Sequence, residues 1–202
     1  GISLWLVPDK STSKKIATAM AFRPLTAPQS PSSFPTFQPH VTLATSSESA
    51  LRAAMSPMPP TIPITFRSLE VGAKYFMSVY LAVHAAPASP LAALRAHLRA
   101  ALPDGARAVP PVPHVSLYYI DDADAGLRAV TARMLRTEFR VLESGTPGSE
   151  DSKVTLACYF DERGEGQDPE LVEGFRGEEI WLVNCDGPVE GWEVLEKYPL
   201  VG

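Results

Sequence analysis

The sequence predicts an α+β fold of two similar halves, and three observations carry that expectation. Two short stretches read almost alike, Pro39-His40-Val41-Thr42-Leu43 and Pro113-His114-Val115-Ser116-Leu117. Each is followed by a helix-like segment and then by a return to strand-like runs, as a repeated unit would be. Apolar residues recur at every second position in some windows and at helical spacing in others, so both element types are needed. Outside the motifs the halves share too little sequence to demonstrate a duplication.

Taken in order, 2–7 alternates as a first strand, with Ile2, Leu4 and Leu6 on one face and Ser3 and Trp5 on the other. Pro8-Asp9-Lys10 turns into a helix over 11–22, capped by Ser11 or Thr12, with Ile16, Ala17, Met20 and Ala21 at helical spacing. A loop rich in Pro, Ser and Thr, 24–39, leads to the first motif as strand 40–45. Ser46 or Ser47 caps a short helix containing Leu51, Ala54 and Met55, which Pro57, Pro59 and Pro60 close. Ile62, Ile64 and Phe66 alternate as a strand, Gly72 marks a turn, and 74–84 is the longest β-like run. Ser89-Pro90 opens a helix striped by Leu91, Leu94, Leu98 and Leu102, with His97 off the stripe and expected in solvent. After loop 103–113 the second motif forms a strand, and Asp121 or Asp122 leads a helix with Leu127, Val130, Met134 and Leu135 on one side. Strands are expected at 153–160, 179–185 and 192–195, with 145–152 and the acidic 161–177 as surface excursions.

The 202 residues, 45% apolar and 20% charged, have the balance of a soluble globular protein. No apolar run is long enough for a bilayer and no signal-like start is visible, so the cell interior is the expected compartment. A net charge of −5 argues against a protein that coats nucleic acid, but leaves room for a small anion in a local site. Cys158 and Cys185 are expected as free thiols or one disulfide.

On a strand, His40 and Thr42 face one side with Val41 and Leu43 beneath, and His114 and Ser116 repeat this above Val115 and Leu117. The prolines suit the first residue of each strand. One imidazole that takes a proton from water and one that gives a proton to an alkoxide are what phosphodiester hydrolysis needs. The Thr42 and Ser116 hydroxyls can donate to nonbridging phosphate oxygens. No metal is required, and no HExxH, CxxC or Gly-rich phosphate loop is present. A lone strand histidine is ordinarily structural, but a core histidine has no reason to repeat with its hydroxyl and its proline.

The paired motifs resemble the His-x-Ser/Thr-x signature of the 2H phosphoesterase superfamily. The closer similarity is to the plant and fungal cyclic phosphodiesterases, through Leu4-Trp5-Leu6-Val7-Pro8, Gly72-Ala73-Lys74-Tyr75-Phe76 and His114-Val115-Ser116-Leu117-Tyr118-Tyr119. The resemblance implies one bilobal domain over 1–202, with two antiparallel sheets lining a central cleft, helices outside and a pseudo-twofold. It implies hydrolysis of nucleoside 2′,3′-cyclic phosphates to 2′-phosphates and, in some members, opening of ADP-ribose 1″,2″-cyclic phosphate, a tRNA-splicing by-product. By position, His40 and His114 are then the acid/base pair, Thr42 and Ser116 bind phosphate, and Trp5, Tyr75 and Tyr119 contact substrate. No cofactor, metal or stable nucleic-acid partner is implied, and a monomer is expected. The reading leans to His114 as base and His40 as acid, which the symmetric motifs do not decide. Strand parity agrees with Trp5 but sets Tyr118, not Tyr119, on the His114 face, unless a bulge or the strand's end intervenes. The alternatives are a 2H enzyme for RNA ends, 2′-5′ ligase-like or 3′-end trimming, which needs a basic track, and a nucleotide-binding module without turnover.

Overall fold

The computed structural model describes residues 1–160 and 168–202. In chain order the elements are β1 (Ile2–Pro8), α1 (Lys10–Met20), β2 (Val41–Ser46), α2 (Glu48–Ala54), β3 (Ile62–Lys74), β4 (Met77–Val83), α3 (Pro90–Ala101) and β5 (His114–Tyr118). They continue as α4 (Gly126–Thr137), β6 (Val141–Ser144), β7 (Lys153–Cys158), β8 (Glu170–Val172), β9 (Gly174–Asn184) and β10 (Glu193–Pro199). Ser47 and Ser89 cap α2 and α3 as expected, each accepting a hydrogen bond from an amide in the first turn. Helix α1 starts earlier than expected because Asp9 is the cap, its carboxylate accepting from the Thr12 amide.

The antiparallel pairings run β1-β2-β5-β4-β3-β9, and β9 also pairs with β1, so six strands close into a ring with β10 added beside β9. One half is β2-β1-β9-β10 and the other β5-β4-β3. They meet at two seams: the single pair Val41–Val115 between β2 and β5, and Ile62–Thr65 of β3 against Gly174–Gly177 of β9. The helices pack on one side of these strands, where Ile16, Leu51, Leu91 and Leu135 join Leu4, Leu6, Leu43 and Leu117 in one core. Trp5, Val7 and Val183 form a smaller cluster on the other side. The antiparallel α+β architecture expected from the resemblance is thus present, and a further sheet, β6-β7-β8, packs against the ring without pairing into it. Among the described residues no helix is long and apolar enough to cross a membrane.

Several expectations need correction. Gly72 is not a turn but lies inside β3, and the chain reverses at Tyr75-Phe76 instead. A Cβ on Gly72 would stand 1.9 Å from the Met77 carbonyl oxygen, so glycine is required there by the close approach of the returning strand. The stretch 161–177 is not wholly an excursion: residues 161–167 lie outside the described residues, but β8 and the start of β9 occupy most of the remainder. In β9, Phe175, Gly177 and Ile180 are buried. A Cβ on Gly177 would meet Leu6 at 2.4 Å, so the inward position is filled from the neighbouring strand. His97 is half-buried rather than solvated, its Nε2 bonded to the Ala54 carbonyl at 2.8 Å, and its neighbour Arg95 is buried.

Gly72→Ala is expected to cost about 2 kcal/mol through overpacking against β4. Urea unfolding checks this: a variant with the wild-type midpoint would show that the two strands can part without cost.

Candidate active site

The β2–β5 seam decides where the motifs stand. Val41 and Val115 face each other across it and are fully buried. Each follows a motif histidine, so pinning the valines together brings His40 and His114 into one cavity of about 360 Å³. The rings are held alike. His40 Nδ1 donates to the Gln38 carbonyl at 2.6 Å, and His114 Nδ1 donates to the Val112 carbonyl at 2.8 Å. A carbonyl oxygen only accepts, so in each neutral ring the hydrogen sits on Nδ1 and Nε2 keeps its lone pair. Pro39 and Pro113 stand between ring and acceptor, where a fixed φ keeps the preceding residue extended.

The surroundings break the symmetry. Trp5 stacks on His40 with ring centroids 3.7 Å apart and 9° between planes, whereas Tyr80 meets His114 edge-on at 5.1 Å. Ser116 Oγ donates to the Phe76 carbonyl at 2.7 Å, at the β3–β4 turn. Thr42 lines the same cavity, half-buried, and no such bond holds its hydroxyl among the described residues. Arg95 of α3 donates to the Pro110 and Pro111 carbonyls at 2.8 and 3.2 Å, bracing the loop that delivers His114.

Burial governs the electrostatics. It holds His40 down at about 4, against the upward pull of the Gln38 bond and with His114 repelling further. Burial also lowers His114, opposed by its Val112 bond and aided by the Arg95 charge. Both rings are therefore neutral at pH 7 without ligand. None of the described residues lining the cavity is Asp or Glu, and among the described residues no cluster of metal-ligating side chains is present.

Residues 1–200 match the family described as cyclic phosphodiesterase-like protein. The chain belongs to that family. No curated protein matches it in sequence. The apo crystal structure of E. coli LigT aligns with a TM-score of 0.53 at 14% identity, covering 100% of this chain and 97% of that one. A crystal structure of a phosphoesterase gives 0.50 at 15%, covering 100% and 98%. At these identities the likeness shows the fold, which is that of the 2H phosphoesterases. Membership in the cyclic phosphodiesterase-like family and this fold make the protein a phosphoesterase.

Within this cyclic phosphodiesterase-like chain, His40, Thr42, His114, Ser116, Trp5 and Tyr119 all line the one cavity. Tyr119 arrives there against simple alternation. The pairing steps from Tyr80–Ser116 to Val79–Tyr118, which leaves Leu117 as the extra residue of a bulge. Tyr118 is thereby turned into the core, 1% exposed with its hydroxyl on the Ala19 carbonyl, and Tyr119 takes the cavity side. Tyr75 is not in the lining: its hydroxyl donates to the Ser32 carbonyl at 2.7 Å and its ring stands behind Phe76 and Tyr119. The sequence reading missed Phe76, Trp192 and Lys74 as lining residues. Phe76 and Lys74 flank Tyr75 in a stretch already singled out, whereas nothing near Trp192 signals its role. A larger cavity of about 680 Å³, between β3–β4 and the β6–β7 hairpin, holds no histidine. His84 bonds the Ser152 carbonyl at 2.7 Å, away from the motif pair. Cys158 and Cys185 are both free, and burial pushes the Cys158 thiol up to about 11.

His40 makes acid stability testable. Its folded value, about 4, lies below the unfolded value near 6.5, so its contribution is complete above 6.5 and lost as pH falls through 4. The wild type is expected to lose ~3 kcal/mol more than His40→Gln between pH 7 and 4. Equal losses in denaturant titrations of the two proteins would contradict a buried neutral ring.

Proposed function

We propose that the protein hydrolyses nucleoside 2′,3′-cyclic phosphates to nucleoside 2′-phosphates, with two imidazoles as acid and base and no metal. The observation that carries this reading is the matched pair of rings, each tied back through Nδ1, in one cavity whose described lining has no carboxylate. Water attacks phosphorus while one Nε2 takes its proton. The bond from phosphorus to the ribose 3′-oxygen breaks, and the other imidazole protonates that oxygen. One P–O bond forms and one breaks; the base ends protonated, the acid ends neutral, and exchange with solvent resets both. The Thr42 hydroxyl stabilises the charge gathering on a nonbridging oxygen. Trp5 and Tyr119 wall the ribose and base, and Tyr75 acts from behind them.

The deep lowering of His40 supports that ring as the neutral base and His114 as the acid, the reverse of the way the sequence reading leaned, on roles that the symmetric motifs do not decide. The substrate class follows the plant and fungal resemblance. ADP-ribose 1″,2″-cyclic phosphate presents the same strained ring and is a second substrate on this reading. Such rings are left by RNA cleavage and tRNA splicing. Lys74, the one charged side chain among the described lining residues, is not the basic track that long RNA needs, so a small nucleotide is favoured over an RNA end. A monomeric enzyme built as a single bilobal domain suffices for this chemistry.

Phosphorus NMR of a 2′,3′-cyclic nucleotide incubated with enzyme and chelator should show the 2′-phosphate accumulating; failure of turnover only when chelator is present would refute the metal-free scheme. His40→Ala and His114→Ala should each lower kcat about 10²–10⁴-fold. A p-nitrophenyl phosphodiester, whose leaving group needs no acid, should restore His114→Ala but not His40→Ala. Restoration of His40→Ala instead would exchange the two roles.

The kcat/KM profile should be a bell with its acid limb near 4, from His40, and its alkaline limb below 6.5, from His114. An optimum above pH 7 in kcat/KM would be incompatible with these rings as acid and base in the free enzyme.

A further inference from the structure

The two motif hydroxyls are not equivalent, and the difference leads to the β3–β4 turn. A serine hydroxyl carries one hydrogen, and that of Ser116 is donated to the Phe76 carbonyl at 2.7 Å. A phosphate oxygen at neutral pH only accepts, so while its hydrogen is on the Phe76 carbonyl Ser116 has none to offer it. The carbonyl that Ser116 holds belongs to the turn between β3 and β4, and the last residue of β3 before that turn is Lys74. Lys74 lines the cavity with His40, His114 and Ser116. It makes no ion pair among the described residues, although other lysines, Lys15 and Lys153, do. The amino group of Gly1, also in the lining, is bonded to Asp186. Both imidazoles are neutral before ligand arrives. In a chain of net charge −5, the lining thus offers one uncommitted cation and, among the described residues, no carboxylate to oppose it.

We propose that Lys74 is an anion-binding residue of this site, facing the phosphoryl oxygens on the side of the second motif, and that Ser116 is a positioning residue that fixes the turn bearing it. The inference rests on the phosphodiesterase reading above and names a residue that reading does not use. The charge that Lys74 meets is single in a cyclic phosphodiester and approaches two in the phosphomonoester product. Its removal therefore weakens product more than substrate. Because the side chain is exposed, its attraction is screened by salt, which gives the role a signature that packing lacks.

Lys74→Gln should raise KM about ten-fold, the scale of one charge-assisted hydrogen bond, while kcat changes much less. It should also flatten the fall of kcat/KM with added salt, and Lys74→Arg should restore both. Inorganic phosphate titrated against tryptophan fluorescence should bind the wild type more tightly than Lys74→Gln. Ser116→Ala should raise KM in the wild-type background and add little to Lys74→Gln, since both act through one contact. Turnover by the wild type with KM, salt dependence and phosphate affinity unchanged in Lys74→Gln would overturn the role of Lys74. Full additivity of the two substitutions would overturn the role given to Ser116. Absence of wild-type turnover, with phosphate binding still weakened in Lys74→Gln, would fault the phosphodiesterase reading and leave the anion site standing.

Discussion

The hydrogen bonds from His40 Nδ1 to Gln38 and from His114 Nδ1 to Val112 are the constraint on which the site depends. Each places the ring's hydrogen on Nδ1 and leaves a lone pair on Nε2. A carboxylate in place of either carbonyl would favour the protonated form. A carbonyl orients without adding a full charge, so the rings stay neutral under burial. On the function proposed above, a phosphate in the cavity would bring the negative charge that favours an imidazolium. The prolines, the extended residues before them and the buried valines after them all serve this arrangement.

Much of this was legible in the sequence because it is local. A repeated Pro-His-apolar-hydroxyl-apolar string encodes the ring, its backbone acceptor and its anchor within five residues, and the caps Ser47 and Ser89 are equally short-range. What escaped were consequences of distant neighbours. Gly177 fills an inward position of β9 because Leu6 reaches into its place, so the alternation that identifies a strand was hidden by a glycine. Gly72 read as a turn for a similar reason: it is a close approach to Met77, not a reversal. Tyr118 and Tyr119 exchanged places because one residue, Leu117, is extra relative to β4, a fact of pairing that a single strand does not carry. Trp192 enters the cavity from just before β10, far from either motif, and its own neighbourhood is silent about it.

The cavity's charge pattern runs against that of the chain. Acidic residues outnumber basic ones overall, 23 to 18, yet none of the described lining residues is acidic. Aromatic rings take that space: Trp5 against His40, and Phe76, Tyr119 and Trp192 within 6.1 Å of one another. Such walls lower the local dielectric and strengthen each remaining polar contact. On the function proposed above, they would also offer flat faces to a nucleoside.

The seam between β2 and β5 has a mechanical meaning. The two histidines stand in different halves of the ring, and between them the backbone is joined at a single rung, Val41 to Val115. The gap between the two rings is therefore gauged by one joint, clamped from below by the core rather than from within the cleft. A small tilt of one half on the other would widen or close that gap while leaving each ring's own tether intact. The spacing of the two imidazoles is thus inherited from the fit of two valines beneath the cavity.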